Sequence, residues 1–455
     1  LCNLKEVKVL KTSAIILAAG LGTRMNSELP KVMHKIAGRP MLLYLLDTLS
    51  ELELEKVVLV LGPNMEQVID FVADSGFKVD IVIQDERLGT GHAVKQAKKN
   101  FSGYKGNIVV LYGDSPLIGT NTIKKMINTR NETINPALVV LGFSPNDVSG
   151  YGRLMLDKPN SVEKIVEEKD ATKDELANRL CNSGIIIADG EILFELIEEL
   201  SCENSKKEFY LTDVVGIARA RGRECLVVEG TETELMGINS RAELAVAETI
   251  TQNYLRQAAM EKGATLIDPS SVYFSYDTIV GRDVVIGPSV FFGPKVRVSD
   301  GVEIKAFCHL EGTTINKNCT VGPFARLRPG SNISEDVHIG NFVEIKNASL
   351  GRGVKVNHLS YLGDAKIGER TNIGAGTITC NYDGYKKSET VIGSQSFIGS
   401  NTALVAPVVV GNNAIIGAGS VITKDVKDNA LSLTRAEQKD ISNYGSKLER
   451  MRKRN

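Results

Sequence analysis

The stretch VIGSQSFIGSNTALVAPVVVGNNAIIGAGSVIT, residues 391–423, places an aliphatic or aromatic side chain at every sixth position. The residues in step are Ile392, Ile398, Leu404, Val410, Ile416 and Ile422. Neither a helix nor an ordinary strand has this spacing, because their side chains repeat with periods of 3.6 and 2.0. A coil with short flat faces does produce it, since each sixth side chain points inward and stacks on its counterpart in the next coil.

The same spacing extends upstream through most of the C-terminal part of the chain. The further positions in step are Val280, Ile286, Phe292, Val298, Ile304, Leu310, Ile315, Val321, Leu327, Ile333, Ile339, Ile345, Leu350, Val356, Leu362, Ile367 and Ile373. Glycine often follows the apolar residue, at Gly287, Gly340, Gly368, Gly374, Gly393, Gly399, Gly411 and Gly417. We expect these glycines at corners that need a positive φ. The pattern predicts a parallel β-helix over residues 263–455 rather than a β-sandwich with fortuitous spacing.

We call the apolar residues at every sixth position the ladder. The ladder is interrupted once, between Ile373 and Ile392. The intervening residues 374–390 are polar and contain the segment C-N-Y-D-G at 380–384. Insertions of this kind form loops on one face of a solenoid, often a binding face, although solenoids also tolerate idle insertions.

The N-terminal half has a different organisation, in which apolar β-rich runs alternate with helical patterns. The runs that resemble buried parallel strands are 14–17, 57–61, 80–83, 108–111 and 138–141, with helical patterns at 41–49 and 93–99 among those between them. This alternation predicts an α/β doubly wound, Rossmann-like sheet. Ligands in such folds bind beyond the carboxyl ends of the strands, so we expect chemistry in the loops after Leu17, Ile83 and Leu111.

A helical stretch from Ser240 to Lys262, which Gly263 is placed to stop, separates the two patterns. The predicted organisation is an N-terminal extension (1–12), an α/β domain (13–241), a helical linker (242–262) and the β-helix (263–455).

Composition excludes several classes of protein. The formal net charge is −1, with 42% hydrophobic and 24% charged residues, which is ordinary for a soluble protein and predicts neither nucleic-acid nor membrane-surface binding. The basic segment 447–454 is interpreted as a solvated end rather than a binding arm. We identify no apolar run long enough for a membrane span and no signal peptide. The seven cysteines form no C-x-x-C pair, which favours a reducing cytoplasm over disulfides or a zinc site.

A glycine-rich loop follows the first predicted strand, with the sequence L-A-A-G-L-G-T-R-M at 17–25. Its small residues allow backbone N–H groups to approach a phosphate, whose charge Arg24 and Lys31 can neutralise. The loop matches neither G-x-G-x-x-G nor the Walker A motif, so alone it is equally consistent with a structural turn. Asp114, at the end of another predicted strand, has the chemistry to hold Mg²⁺ between phosphates. Gln84 and the segment 89–92 are placed to line a base pocket.

These motifs, together with P-K at 30–31, Q-D-E-R-L-G-T-G-H-A at 84–93 and Y-G-D-S-P at 112–116, resemble those of sugar nucleotidyltransferases. The motifs Y-G-R, I-V-E-E-K-D, C-N-S-G-I and G-I-N-S-R are similar to the UDP-N-acetylglucosamine pyrophosphorylase branch of that family. The resemblance implies that the uridine nucleotide is bound by Leu17, Ala18, Ala19, Gly20, Lys31, Gln84, Gly89, Thr90, Tyr112, Gly113 and Asp114. It implies that Gly152, Glu167 and Asn182 contact the sugar phosphate.

The resemblance also implies that Asp114 and Asn239 ligate Mg²⁺, although without it Asn239 would be interpreted as a helix N-terminal residue. The implied reaction is in-line attack of a sugar-1-phosphate oxygen on the α-phosphorus of UTP, with release of pyrophosphate. Positioning and charge neutralisation by Mg²⁺, Arg24 and Lys31 suffice for this reaction, which needs no covalent intermediate.

The predicted β-helix carries polar residues that stacking does not require. They are Arg328, Glu344, Lys346, His358, Tyr361, Asn372, Asn381 and Lys387. The segments F-A-R-L-R-P-G, N-F-V-E-I-K, H-L-S-Y-L-G-D and C-N-Y-D-G resemble the glucosamine-1-phosphate N-acetyltransferase half of a bifunctional family. This resemblance covers residues 13–435 and implies a left-handed β-helix, a homotrimer with sites between subunits, and a product, UDP-N-acetylglucosamine, that feeds bacterial cell-wall and lipopolysaccharide synthesis.

By this resemblance His358 is the general base for attack of the substrate amine on acetyl-CoA, and Glu344 orients it. Glucosamine-1-phosphate would be bound by Arg328, Lys346, Tyr361, Asn372 and Lys387. Acetyl-CoA and the reacting centre would be contacted by Ala375, Asn381, Tyr382, Ser400, Ala418 and Arg435. The other histidines, His34, His92, His309 and His338, are interpreted as structural, with His92 bracing its glycine-rich loop.

Two alternatives differ in function. A monofunctional pyrophosphorylase would use the β-helix only for assembly or regulation, and the cluster around His358 argues against it. A non-catalytic relative, such as an exchange-factor subunit of translation initiation, would be expected to lose the charges of Arg24, Lys31 and Asp114. This chain keeps all three.

Overall fold

A computed structural model describes residues 10–132 and 134–453, so most of the N-terminal extension, Cys2 and the end of the basic tail lie outside the described residues. The chain divides into two compact units, residues 1–251 and 252–455. No helix in the described parts of the chain has the length and apolar character of a membrane span.

The first unit is built on a mixed nine-stranded sheet and a two-stranded ribbon. Its strands are β1 (Thr12–Leu17), β2 (Lys35–Ile36), β3 (Arg39–Pro40), β4 (Leu54–Leu61), β5 (Asp80–Ile83), β6 (Asn107–Tyr112), β7 (Leu138–Phe143), β8 (Arg153–Lys158), β9 (Ser161–Val166), β10 (Cys181–Asp189) and β11 (Cys225–Glu229). The main sheet has the order β5-β4-β1-β6-β10-β7-β11-β9-β8, and β2 pairs with β3 in the ribbon. Strands β5, β4, β1 and β6 are mutually parallel, whereas β10 runs antiparallel to both β6 and β7.

Helices cover both faces of this sheet and bury two apolar layers. They are α1 (Met41–Ser50), α2 (Glu66–Asp74), α3 (Thr90–Gln96), α4 (Thr120–Arg130), α5 (Lys173–Leu176), α6 (Leu193–Glu198), α7 (Asp213–Ala220) and α8 (Glu232–Leu235). Short 3₁₀ helices occupy Thr23–Met25, Lys31–Met33, Ala97–Phe101 and Glu168–Asp170. The predicted doubly wound fold is confirmed. One detail of the prediction is wrong: β5 is only partly buried, because it is the edge strand.

Helix α9 (Arg241–Glu261) runs from the first unit into the second, and Gly263 follows it with a φ of 99°. The predicted connecting helix is therefore present, and the positive φ explains why glycine stands at its end.

The second unit is a coil of short parallel strands. They are β12 (Thr265–Leu266), β13 (Ile279–Val280), β14 (Val285–Ile286), β15 (Phe291–Phe292), β16 (Arg297–Val298), β17 (Glu303–Ile304), β18 (His309–Leu310), β19 (Thr313–Ile315), β20 (Thr320–Val321), β21 (Arg326–Leu327), β22 (Ser331–Ile333), β23 (His338–Asn341), β24 (Glu344–Leu350), β25 (Lys355–His358), β26 (Tyr361–Ile367), β27 (Asn372–Ile373), β28 (Ile378–Cys380), β29 (Thr390–Ile392), β30 (Phe397–Ile398), β31 (Ala403–Val405), β32 (Val408–Val410), β33 (Ile415–Ile416), β34 (Val421–Ile422) and β35 (Leu431–Ser432). A 3₁₀ turn lies at Pro269–Ser271, and helix α10 (Tyr444–Arg452) follows the coil.

Each strand of the coil pairs in parallel with the strand one turn later, as β14 does with β17 and β17 with β20. The sixfold ladder forms one continuous core, in which every predicted position is buried except the first, Val280, which is partly buried. The predicted left-handed β-helix is confirmed.

The reason for the recurring glycines differs from the prediction. None of the eight glycines named in the sequence pattern has a positive φ. A Cβ at Gly393 would instead lie 2.5 Å from the backbone nitrogen of Asn412 and 2.6 Å from the carbonyl carbon of Gly411, both in the next coil. These glycines are required because adjacent coils approach closely. The positive φ occurs two residues later, at Gln395, for example.

The interruption of the ladder is shorter than the sequence suggested. Thr379 occupies the position six residues after Ile373 and is buried, with its hydroxyl bonded to the backbone of Gly363 at 2.8 and 3.0 Å. The sequence pattern missed this position because its side chain is polar. Residues 381–388 then form a small hairpin, closed by a hydrogen bond of 2.9 Å from the N–H of Ser388 to the carbonyl of Asn381.

Candidate functional site

The first unit has a cavity of about 330 Å³ at the carboxyl ends of its parallel strands. Ten residues predicted to bind the nucleotide line it, namely Leu17, Ala18, Ala19, Gly20, Lys31, Gln84, Gly89, Thr90, Tyr112 and Asp114. They come from the last residues of β1 and β6 and from the segments that follow β1, β5 and β6, as expected for a doubly wound sheet. Gly113, Gly152, Glu167, Asn182 and Asn239 do not line this cavity.

Two glycines show how the cavity is shaped. A Cβ on Gly20 would meet no atom within 4 Å, so the loop leaves open space in front of its backbone. Gly89 has a φ of 108°, and a Cβ there would lie 2.7 Å from the carbonyl oxygen of Phe209. Gly89 is therefore required both by its backbone conformation and by the close approach of a second loop.

Lys31 joins the two residues predicted to hold a metal. Its ammonium group forms an ion pair with Asp114 and donates a hydrogen bond of 2.7 Å to Oδ1 of Asn239. Asp114 and Asn239 are distant in sequence, and the structure brings their oxygen atoms to one cation. Oxygen donors of this kind suit Mg²⁺, which is commonly held by one or two carboxylates together with substrate phosphates. Among the described residues no cluster of three His, Cys, Asp or Glu side chains offers a closed metal cage.

Arg24 is placed differently from the other predicted residues of this site. It lies exposed on the 3₁₀ turn after the glycine-rich loop and is not among the residues that line the cavity.

Gln84 is held by its own loop. Its amide nitrogen donates to the carbonyl of Gly89 at 3.1 Å and lies 3.1 Å from Nδ1 of His92. His92 thus contacts the residue predicted to recognise the base, in agreement with its predicted bracing role.

The residues predicted to contact the sugar phosphate are connected to one another, and one of them, Glu167, acts on Tyr112. The backbone of Asn182 donates to the carbonyl of Gly152 at 2.9 Å, which joins two of them. Burial raises the pKa of the third, Glu167, against the hydrogen bond that it accepts from Thr212 at 3.3 Å. Burial, and then the charges of Asp114 and Glu167, raise the pKa of Tyr112. The hydroxyl of Tyr112 is therefore close enough to both Asp114 and Glu167 for their charges to act on it.

The sequence analysis missed four residues that line the cavity: Val32, Arg87, Ala93 and Glu208. Arg87 donates from Nε to the carbonyl of Ala19 at 2.8 Å, and its guanidinium lies where a Cβ on Gly62 would stand. Arg87 lies inside the motif Q-D-E-R-L-G-T-G-H, so the sequence could have indicated that it belongs to the cavity. Glu208 comes from a distant loop, and no pattern in the sequence pointed to it.

A second group of polar side chains lies on the β-helix around Asp364. Its carboxylate accepts hydrogen bonds from Asn347 at 2.6 Å and from Asn381, and it lies 3.9 Å from Nζ of Lys346. Although burial opposes the change, these amides and the charges of Lys346 and Lys387 lower the pKa of Asp364.

The hairpin at 381–388 brings the Lys387 amine close to the Lys346 amine, and this proximity of like charges lowers the pKa of Lys387. Lys346 and Lys387 thus form a cluster of net positive charge with the Asp364 carboxylate beside them. Arg328 is bound to Glu344, with a distance of 2.9 Å from Nη1 to Oε1, and Glu344 is the register partner of Tyr361. The structure thus gathers most of the predicted sugar-phosphate residues, whereas Asn372 lies on the other sheet, in register with Phe397.

A corner of the β-helix aligns the remaining predicted residues. At this corner each coil has one residue with a positive φ, and we call the residues directly before these positions the corner column. Its members are Pro288, Ala306, Pro323, Asn341, His358, Ala375, Ser400 and Ala418. The residue that follows one member donates its N–H to the carbonyl of the member in the preceding coil, as Asn401 does to Ala375 at 2.7 Å and Gly419 to Ser400 at 2.8 Å. Arg435 extends the column by donating to the carbonyl of Ala418 at 3.0 Å. Asn381 and Tyr382 lie in the hairpin segment instead, Asn381 against Asp364 and Tyr382 bonded to the carbonyl of Gly384 at 2.6 Å.

The partner of His358 is not the one expected from the sequence. Nδ1 of His358 lies 2.8 Å from Oδ1 of Asn341, while Glu344 is occupied by Arg328.

Comparison with known proteins gives matches in both units. Residues 14–147 match the MobA-like NTP transferase domain, and residues 389–424 match the bacterial transferase hexapeptide (six repeats). The chain is 54% identical over 438 residues to the bifunctional protein GlmU of Paramagnetospirillum magneticum, with 96% of each chain covered. It is 54% identical over 438 residues to that of Rhodospirillum rubrum, covering 96% of this chain and 97% of the relative. It is 48% identical over 442 residues to that of Zymomonas mobilis, covering 97% and 98%.

These relatives match nearly the whole chain, and the match extends through the β-helix as well as the α/β unit. The protein is therefore a member of the GlmU family of bifunctional enzymes.

Proposed function

We propose that this enzyme makes UDP-N-acetylglucosamine in two steps on two domains, residues 13–241 and 263–455. The β-helix domain acetylates glucosamine-1-phosphate with acetyl-CoA, and the α/β domain couples the product to UMP from UTP with release of pyrophosphate. The observation that carries the proposal is that each unit has a built polar site of its own. The cavity lined by Lys31 and Asp114, with Asn239 bonded to Lys31, suits phosphate chemistry, and the paired lysines of the β-helix suit a second phosphorylated substrate.

In the α/β domain the nucleotide binds in the cavity after β1, β5 and β6. Gln84 and Gly89 contact the base, while the backbone at 17–20 and the ammonium of Lys31 neutralise the triphosphate. The sugar-phosphate oxygen attacks the α-phosphorus, the bond to the β-phosphate oxygen breaks, and pyrophosphate leaves. Asp114 and Asn239 would hold Mg²⁺, which supplies charge neutralisation when bound. Gly152, Glu167 and Asn182 position N-acetylglucosamine-1-phosphate, and Arg24, exposed at the loop, acts on the outer phosphates.

In the β-helix domain His358 is the general base. The amine nitrogen attacks the thioester carbonyl carbon, the carbon–sulfur bond breaks, and His358 takes the proton from nitrogen. Arg328, Lys346 and Lys387 bind the sugar phosphate, with Tyr361 and Asn372 beside the sugar. The corner column from Ala375 through Ser400 and Ala418 to Arg435 provides a straight contact line for the pantetheine arm, and the hairpin with Asn381 and Tyr382 borders the reacting centre.

A β-helix used only for assembly would not explain why Lys387 is returned to Lys346 by the hairpin. Asp364 offsets only one of the two positive charges, so the cluster keeps a net positive charge that suits an anionic ligand.

We further propose a cytoplasmic homotrimer assembled through the β-helix. The six cysteines among the described residues are free thiols, which suits a reducing compartment. Three exposed phenylalanines that stack on one another along the β-helix, Phe307, Phe324 and Phe342, support assembly.

The decisive experiment measures both half-reactions on the full-length protein and two variants. Free-thiol release from acetyl-CoA with glucosamine-1-phosphate reports acetyl transfer, and pyrophosphate release reports uridylyl transfer. His358→Ala is expected to lower thiol release by about 10²- to 10⁴-fold and to leave uridylyl transfer intact. Asp114→Asn is expected to have the reciprocal effect, lowering uridylyl transfer by about 10²-fold or more.

The activity that each variant retains shows that the domain without the substitution is folded. A wild-type protein that forms UDP-sugar but releases no thiol would show that the β-helix is a scaffold.

A further inference from the structure

Asn341 is an exception in the corner column. The members before it, Pro288, Ala306 and Pro323, have no polar side chain, whereas Asn341 lies one coil below His358. Asn341 and His358 end strands β23 and β25 and are register partners across them. The backbone N–H of Leu359 donates to the carbonyl of Asn341 at 3.1 Å, which fixes the two coils to each other at this point. Nothing in the stacking of the coils requires an amide here.

The contact between the two side chains defines which histidine nitrogen carries the proton. Oδ1 of Asn341 lies 2.8 Å from Nδ1 of His358. With Oδ1 of Asn341 facing the ring, the amide can only accept, and the contact requires the proton of neutral His358 on Nδ1. Nε2 then keeps its lone pair. A free imidazole prefers the other tautomer, with the proton on Nε2, and that form cannot take a proton at Nε2.

The carboxylate expected for this role is engaged elsewhere. Glu344 lies 2.9 Å from Nη1 of Arg328 and 3.6 Å from Nη1 of Arg326. Its charge is balanced by two guanidinium groups, and the described hydrogen bond of the His358 ring is accepted by Oδ1 of Asn341.

We propose that Asn341 is a positioning residue for acetyl transfer, which orients the His358 ring and selects the tautomer whose Nε2 is free. The inference rests on the proposed acetyl transfer. In the step itself the substrate N–H proton passes to Nε2 as nitrogen bonds to the acetyl carbon and the carbon–sulfur bond breaks. Coenzyme A leaves as the thiolate and recovers that proton, so the products are the amide and a free thiol.

The test compares Asn341→Leu and Asn341→Asp with wild type, by thiol release from acetyl-CoA across about pH 6–9. Asn341→Leu keeps the size of the side chain but cannot accept a hydrogen bond, and kcat is expected to fall about 10- to 100-fold, with both KM values within about twofold of wild type. Asn341→Asp restores an acceptor. Its negative charge favours the protonated form of His358, which cannot act as a base. Activity is therefore expected to persist at high pH, whereas the pH at which it is lost on the acidic side should rise by about one unit.

Asn332→Leu is the matched control, because Asn332 is an exposed asparagine in β22, outside both proposed sites. It is expected to behave as wild type. The inference fails if Asn341→Leu keeps the wild-type kcat, or if Asn341→Asp has an unshifted profile, while His358→Ala is inactive. A wild-type protein that releases no thiol overturns the inference together with the proposed acetyl transfer.

Discussion

His34 shows how a single buried side chain connects the segment after the glycine-rich loop to the start of helix α9. It follows the 3₁₀ turn that carries Lys31, and its Nδ1 lies 3.1 Å from Nη1 of Arg241, two residues after Asn239. Because the guanidinium donates, Nδ1 is the acceptor and the proton lies on Nε2, which is buried and makes no well-formed hydrogen bond among the described residues. The charge of a protonated imidazole would therefore be unfavourable here. Burial, and then the charge of Arg241, lower the pKa of His34 against a smaller opposing effect of the Leu29 backbone.

This pKa shift predicts acid sensitivity of the first unit. Below the ordinary histidine pKa, His34 binds a proton in the unfolded chain but not in the folded one. The contribution of neutral His34 to the free energy of unfolding is therefore complete above about pH 6.5. It is lost as the pH falls toward the lowered pKa of the folded state. The apparent Tm of the first unit should decrease more between about pH 7.5 and 5.5 in wild type than in His34→Asn. The substituted amide keeps an acceptor for the Arg241 guanidinium but does not titrate. Equal losses in the two proteins, measured by calorimetry, would remove His34 as the cause.

The strands of the β-helix depend on two different backbone positions in each repeat. A glycine directly after the ladder residue permits close approach of the next coil, and a residue two positions later turns the corner with positive φ. In one column the corner residues are Gly353, Arg370, Gln395 and Asn413, with φ values of 70°, 57°, 58° and 52°. The corner thus accepts side chains, whereas the close approach does not.

This difference leads to a prediction for paired substitutions. Gly393→Ala places a Cβ 2.5 Å from the backbone nitrogen of Asn412, and backbone atoms cannot move aside as a side chain can. We expect it to destabilise the second unit by about 1–3 kcal/mol. Gly353→Asn is expected to be nearly neutral, because Asn413 already stands in the same column. Urea unfolding followed by circular dichroism measures both, and a neutral Gly393→Ala would disprove the close-approach explanation.

At the scale of the whole molecule, a row of phenylalanines is unexplained within one chain. Phe307, Phe324 and Phe342 have positive φ, remain 53%, 46% and 55% exposed, and stack with ring centroids 4.9 and 5.2 Å apart. A bulky residue in this conformation is uncommon, and an exposed aromatic row marks an interaction surface. The positive φ belongs to the corner of the coil, and burial between copies of the chain would explain why this corner carries exposed aromatic rings.

The proposed homotrimer can be tested at this row. Wild type should elute with a light-scattering mass three times the chain mass of 49.3 kDa. Phe324→Asn suits the positive φ but removes the ring, and the loss of a central aromatic contact, about 2 kcal/mol or more, should shift the mass toward the monomer. Unchanged circular dichroism confirms folding. A wild-type monomer, or a variant that remains trimeric at low micromolar concentration, would contradict this assignment of the interface.

Both folds could be predicted from the amino-acid sequence, because each leaves a periodic signature. The inward residues of the β-helix repeat every six positions, and the alternation of apolar runs with helices defines the α/β sheet. The glycine-rich loop and Asp114 could be located as well, since these lie at strand ends that the alternation predicts. The roles of Asn239 and of the residues around His358 came from resemblance rather than from spacing.

Only the tertiary structure shows which residues that are distant in sequence contact each other. The pairing of Lys31 with Asn239, the contribution of Glu208 to the cavity, the return of Lys387 to Lys346 and the choice of Asn341 over Glu344 beside His358 all depend on contacts between segments remote in sequence. Local periodicity carries no information about such contacts, because they are set by how strands and coils pack. The same reason explains the glycines after the ladder residues: their requirement arises from the neighbouring coil and not from their own backbone angles.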